Sequence, residues 1–314
     1  MNEPGVLELI AAGPFSFALT GEVLARLPRF NTLERFTPAG TEGGPRHERA
    51  LATPAGPLKV TATPLPGLGG LDGGLRLTLR GPEEAWPAAV AWANAGFGLS
   101  VDPAAFEAVA AQDRLLGPIL PRLRGLRPPA SDPWEALVGA IVSQQITLRL
   151  ALRQLDALAR QLGGTLHAPG EPPDPLDRGP LPLHPTPLAV LEADPGVYRS
   201  AGLSAVKAGA LKSAAQAALD GRLAEATRMP ALEAVALLTA IRGIGPWTAR
   251  YWLTSTGRLE ALATTDAGLR AAYRAVNDGS LEGLEEWSES LGPVRGWAYW
   301  YLIWGAKYAP ASAG

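Results

Sequence analysis

Leu237-Leu238-Thr239-Ala240-Ile241-Arg242-Gly243-Ile244-Gly245-Pro246-Trp247-Thr248-Ala249-Arg250-Tyr251 reads as a helix, a Gly-x-Gly corner and a second helix opened by proline at its first position. Glycines in such a corner allow positive φ and let another backbone or a phosphate come close. The unpaired amides and positive dipole end of the second helix point at the same place. A hairpin of this kind can grip DNA backbone without reading base sequence. Gly-x-Gly corners are common, so the surroundings carry the weight. From Arg199 to Arg258 there are eight basic residues against three acidic ones, in a chain whose formal net charge is only −2. A local basic excess in a near-neutral protein suits a polyanion held at one face.

On the C-terminal side, Thr264-Thr265-Asp266-Ala267-Gly268-Leu269-Arg270 sets a lone acid between an apolar run and a new helix, at a position where a cap and an ionised carboxylate are both favoured. On the N-terminal side, Ser131-Asp132-Pro133-Trp134-Glu135 is a helix start. The stripe Trp134, Leu137, Val138, Ile141, Val142 then follows the spacing of a buried helix face, ending at Gln144 and Gln145, with Gln145 where the stripe would continue. Eight prolines between Pro169 and Pro187 make residues 168–187 an irregular loop. Helices are expected near Leu188 and over 205–219, 231–241, 246–255, 268–276, 282–290 and 293–308. The first hundred residues differ. Residues 15–20, 58–63 and 75–80 alternate like strands, while 23–27 and 83–95 look helical. The expected fold is mainly α, a helical domain over 101–314 preceded by a small antiparallel α+β domain over 1–100.

With 314 residues, 47% hydrophobic and 18% charged, the chain is no disordered polymer, and its apolar runs fall short of the roughly 20 residues that span a bilayer. Its start, Met1-Asn2-Glu3-Pro4, lacks an export leader, so the cytoplasm is expected. Zero cysteines exclude disulfides, zinc thiolates and iron–sulfur clusters. His47, His167 and His184 are too scattered to suggest a metal site. Catalysis must then come from carboxylate, Lys, Tyr or Ser. Six of the nine tryptophans lie between Trp247 and Trp304, giving an aromatic-dense C-terminal lobe.

Taken together, Arg242 to Ala249, Thr265-Asp266-x-Gly268-Leu269-Arg270, Asp132-Pro133-Trp134 with Ser143-Gln144-Gln145-Ile146, Pro185-Thr186-Pro187 leading to Gly202-Leu203-Ser204, and Gly292-Pro293-x-Arg295-x-Trp297-Ala298 resemble the helix-hairpin-helix DNA glycosylases. Within them, the likeness is to the bacterial 3-methyladenine DNA glycosylase II type, over residues 102–308. The resemblance implies a two-lobed fold with the active-site cleft between the lobes. It implies a monomeric enzyme that flips alkylated purines from double-stranded DNA, is nucleoid-associated when bound to it, and hydrolyses the glycosidic bond in base excision repair. Asp266 would be the catalytic carboxylate and Trp247 and Tyr251 the walls of the base pocket. Gly243, Ile244, Gly245 and Thr248 would bind the DNA backbone, and Gln145, beside Gln144, would wedge into the duplex. Arg295 would orient Asp266, contact a phosphate or close a helix cap. Bifunctional relatives carry Lys where Trp247 stands, which points to a monofunctional enzyme. Val294 replaces a third pocket aromatic. No cofactor is required, although the hairpin carbonyls of Thr239, Ile241 and Ile244 would suit a sodium-like cation bridging to phosphate. Two alternatives stay open, a non-catalytic helix-hairpin-helix DNA-binding module and a glycosylase for oxidised or deaminated purines.

Overall fold

The computed structural model describes residues 3–26, 33–166 and 179–305. Strands β1 (Gly5–Ile10), β2 (Glu34–Thr37), β3 (Arg46–Leu51), β4 (Leu58–Pro66) and β5 (Asp72–Arg80) form one antiparallel sheet in the order β1-β5-β4-β3-β2. Alternation on β4 and β5 turns Leu58, Val60 and Ala62, and Leu75, Leu77 and Leu79, into a core roofed by α2 (Trp86–Gly96). Helix α1 (Phe17–Arg26) precedes β2.

One expected strand is a helix. The alternation of residues 15–20 mimics a strand, but Ser16 accepts the Leu19 amide at 3.3 Å as a cap, and Phe17, Thr20 and Leu24 are buried at helical spacing on α1. The helix expected at 23–27 is the end of this same α1, with Leu27 outside the described residues.

After α3 (Ala104–Ala110) the chain is helical. Helices α4 (Pro133–Ser143) and α5 (Leu148–Leu158) lead to a two-residue ladder of β6 (Thr165–Leu166) and β7 (Leu181–Pro182). The expected irregular loop therefore ends in a strand pairing, while its residues 168–178 lie outside the described residues. Next come α6 (Pro187–Glu192), α7 (Pro195–Ser200), α8 (Ala205–Leu219), α9 (Arg222–Ala226), α10 (Ala231–Thr239) and α11 (Pro246–Ser255). The chain closes with α12 (Ala267–Val276), α13 (Leu284–Ser290) and α14 (Arg295–Gly305), so the expected helix 293–308 starts as a 3-10 turn over Gly292–Val294 and its residues 306–308 lie outside the described set.

The stripe on α4 is fully buried, and so are Ala136, Gly139 and Ala140 on its other faces, because this helix runs through the centre of its lobe. Asp132 caps it, accepting the amides of Trp134 and Glu135. Two hydrophobic cores divide the helical part. One gathers α4 to α11, and the other gathers α3 with α12 to α14. Helix α11 belongs to both, with Trp252 in the first core and Tyr251 in the second. The mainly α, two-lobed architecture behind a small antiparallel domain is as the sequence led us to expect.

Candidate active site

Between the two cores opens a cleft of about 1310 Å³, lined by Gln144, Gln145, Gly245, Trp247, Thr248, Tyr251 and Asp266 among others. That exceeds the roughly 300–1,000 Å³ of a small-molecule pocket, as a site for a segment of polymer would. Seven of the residues singled out from the sequence thus meet in one place. Gly243, Ile244 and Arg295 are not in its lining.

The hairpin forms one wall. Gly243 takes φ 88°, and a Cβ there would lie 2.4 Å from that of Ala210, so the corner demands glycine twice over. Gly245 departs from the expected positive φ. It is extended, at φ −92°, and serves as N-cap of α11 with open space where a Cβ would be. What its missing side chain leaves is room outside the protein, in front of the helix N-terminus. The first helical amide bond runs from Ala249 to the Gly245 carbonyl at 3.0 Å, which leaves the Trp247 and Thr248 amides without a backbone partner. Ile244 is buried and anchors the corner in the core. Thr248 is buried too, and its hydroxyl accepts from Gln144 Nε2 at 2.9 Å. Gln144 Nε2 also reaches the Gly243 carbonyl at 3.2 Å, tying the end of α4 to the hairpin.

Helix α4 stops at Ser143, so Gln145 does not extend the stripe as its spacing suggested. It is exposed, with φ 56°, a conformation few side chains adopt. Lys207 secures the helix end by donating to the Val142 carbonyl at 2.7 Å, and its burial there depresses its pKa. Leu148 and Leu150, both exposed and apolar, continue the lip of the cleft beyond Gln145. Arg242 and Arg250 are exposed around the hairpin, whereas Arg258 is occupied by the Met229 carbonyl and Glu260.

Trp247 and Tyr251, one turn apart on α11, stack on each other with centroids 5.2 Å apart and planes 15° from parallel. They cover one another, so a base would lie against the outer ring and not between the two. Trp252 points the opposite way, fully buried, its indole N–H donating to the Pro133 carbonyl.

Asp266 is the N-cap of α12 and only 8% exposed. Its Oδ1 accepts the Leu269 amide at 2.9 Å and the Tyr299 hydroxyl at 3.3 Å. Its other oxygen, Oδ2, accepts no hydrogen bond among the described residues. Arg295 does not touch Asp266; its Nε donates to the Gly292 carbonyl at 3.1 Å, a helix-cap bond. The partner from that helix is Tyr299, which sequence reasoning missed. Tyr299, Trp300 and Trp304 line the cleft, while Val294 does not, so the aromatic face at this end comes from the middle of α14. Their signal was hidden in a run where every ring resembles core.

No family model matches the chain. It is 29% identical over 187 residues to DNA-3-methyladenine glycosylase 1 of Schizosaccharomyces pombe, covering 57% of this chain and 74% of that protein. It is 34% identical over 130 residues to DNA-3-methyladenine glycosylase 2 of Escherichia coli K12, spanning 41% of this chain and less than half, 43%, of that relative. Among solved structures, a 3-methyladenine DNA glycosylase from Archaeoglobus fulgidus superposes with a TM-score of 0.76 at 20% identity, over 97% of this chain and all of that one. The Schizosaccharomyces pombe 3-methyladenine DNA glycosylase in complex with abasic DNA superposes at 0.52 and 26% identity, over 66% and 98%. The 8-oxoguanine glycosylase/lyase of Clostridium acetobutylicum shares the fold, with 0.66 at 17% identity over 97% and 99%. The resemblance drawn from the sequence and the reading of the chain as an enzyme of this kind are both borne out.

Proposed function

We propose that this chain is a monofunctional DNA glycosylase that flips alkylated, cationic purines such as 3-methyladenine and 7-methylguanine out of duplex DNA and hydrolyses their N-glycosidic bond. One observation carries the reading. A buried carboxylate with an unengaged oxygen shares a cleft with a stacked aromatic pair and with the free amides of a hairpin. As the C1′–N bond breaks, its electron pair leaves with the base and positive charge grows on the sugar. Asp266 stabilises that charge and takes up the proton of the water that bonds to C1′. A base that is already cationic departs without being protonated, so a second acid is not needed. Position 247 is Trp, and no lysine lines the cleft among the described residues, which supports hydrolysis over amine attack on the sugar. The oxidised-purine alternative has only a shared fold behind it, and a pure DNA-binding module would have no use for a buried acid beside phosphate.

The outer face of the Trp247–Tyr251 stack suits a cationic purine by stacking and cation–π attraction. Gln145, presented outward in its left-handed conformation, fits the wedge that fills the gap left in the duplex. The hairpin amides, with Arg242 and Arg250, suit phosphates. A sodium-like cation fits the hairpin carbonyls. That of Ile241 already accepts the Ile244 amide at 3.1 Å, and those of Thr239 and Ile244 accept none in the hairpin's backbone pattern. Bound there, it would add positive charge toward a phosphate. The cleft is complete within one chain, in keeping with a monomer.

The test is release of free base from duplexes that each carry one of several lesions. Alkylated purines should be released and 8-oxoguanine should not, with the backbone left intact. Binding should depend steeply on salt and little on flanking sequence, since the hairpin offers donors to phosphate and nothing to base edges. Tight salt-resistant binding to one undamaged sequence would contradict this. Trp247→Ala should lower selectivity for cationic bases by the worth of a desolvated cation–π contact, about 1–2 kcal/mol, while leaving affinity for an abasic duplex nearly unchanged. Equal loss in both assays would make Trp247 structural.

A further inference from the structure

We infer that Tyr299 is a positioning residue of the reaction, fixing the plane of the Asp266 carboxylate; this rests on Asp266 being the catalytic acid. Two donors from different elements converge on a single carboxylate oxygen, the Leu269 amide of α12 and the Tyr299 hydroxyl of α14. With the amide alone, the carboxylate could swing about that one bond. The second donor, from another helix, constrains its plane as well, while Oδ2 accepts no hydrogen bond among the described residues. Gly268 makes room for the arrangement, since a Cβ there would lie 3.1 Å from Oδ1. The Tyr299 ring is itself held, 5% exposed and packed edge-on against Trp300 with centroids 4.9 Å apart. At 3.3 Å the hydroxyl contact lies at the long end of a hydrogen bond. A phenylalanine would fill the same space, so the hydroxyl is the part with work to do.

The experiment is a double-mutant cycle between Tyr299→Phe and Asp266→Asn. It reads single-turnover release from an alkylated duplex, affinity for an abasic duplex, and melting temperature. Tyr299→Phe is expected to slow release by roughly tenfold to a hundredfold, the worth of a hydrogen bond to a charged group, with abasic-duplex affinity and melting temperature nearly unchanged. In the Asp266→Asn background the same change should have almost no effect, because no charged group remains to be oriented. Equal losses in the two backgrounds, or no loss in the first, overturn the proposal. Gly268→Ala, which crowds the same oxygen, should also slow release only when Asp266 is present, and Tyr299→Met, which likewise removes the hydroxyl, decides the matter if the Phe variant does not fold. The two readings fail differently. An Asp266→Asn variant that releases base normally removes both, whereas an inactive Asp266→Asn beside an unimpaired Tyr299→Phe removes this one alone.

Discussion

Asp266→Asn is expected to slow base release by at least two to three orders of magnitude, on the scale of losing a preorganised electrostatic group. The substitution preserves shape. An asparagine oxygen can still accept the Leu269 amide, so the cap on α12 survives and the stability cost is at most about 1 kcal/mol. Affinity for lesion DNA should hold or rise, because removing a carboxylate from among phosphates relieves repulsion in the ground state. Melting temperature, binding and single-turnover release measured on one preparation separate a cap from a catalyst. A well-folded Asn variant with near-normal release would return the chain to the class of DNA-binding modules.

Arg49→Met is expected to lower the free energy of unfolding by about 3–5 kcal/mol, the usual result of breaking a buried ion pair from one side. The Arg49 side chain is 4% exposed and joins Glu34, 1% exposed, at 2.6 Å, as well as Glu135 on α4. Glu34 also meets His47 at 2.5 Å and the Trp92 indole at 3.0 Å. Burial alone would push the Glu34 carboxyl up, but Arg49 and His47 outweigh it and hold the group below its ordinary 4.5. A depressed carboxylate contributes stability that is complete above its unfolded pKa and lost as pH falls through the folded one. The wild-type protein should therefore weaken below about pH 4.5, and the Met variant should show a flatter acid limb. Adding Glu34→Leu should recover part of the loss, since apolar replacement of the more deeply buried of the two acids left behind removes one uncompensated charge. Denaturant unfolding at several pH values checks all three. A loss under about 1 kcal/mol at pH 7 would mean the network is far better solvated than its burial indicates.

The helical domain was legible because its signals are local and repeated. Asp132 before Pro133, the Trp134–Val142 stripe and the Gly243–Pro246 corner each place an element without tertiary knowledge. The N-terminal third showed β4 and β5 but hid β1, β2 and β3. On β1 the outward residues Val6 and Ile10 are apolar though 56% and 74% exposed, which erases the alternation. On β2 and β3 the inward positions carry charge, because Glu34 and Arg49 are register partners that neutralise each other inside. Residues 15–20 gave the opposite error, six alternating positions being too few to tell a strand from a capped helix start. In the site, Asp266, Trp247 and Tyr251 could be named from the motif. Tyr299 could not, since its meaning depends on where α14 lies against α12 and no spacing between residues 266 and 299 encodes that.

Helix α4 is clamped at both ends. The Asp132 cap and the Glu135–Arg49 pair hold its start against the N-terminal sheet, and Lys207 and Gln144 hold its finish against α8 and the hairpin. Eleven residues make a rod about 16 Å long, so a tilt of one degree about its start would move the far tip by about 0.3 Å. Mechanically this is a strut between two abutments, and Gln145 is the fitting at its tip. The alignment of the cleft's lip is thus a property of the whole frame, with its tolerance set partly by a charge network in a sheet that does not line the cleft.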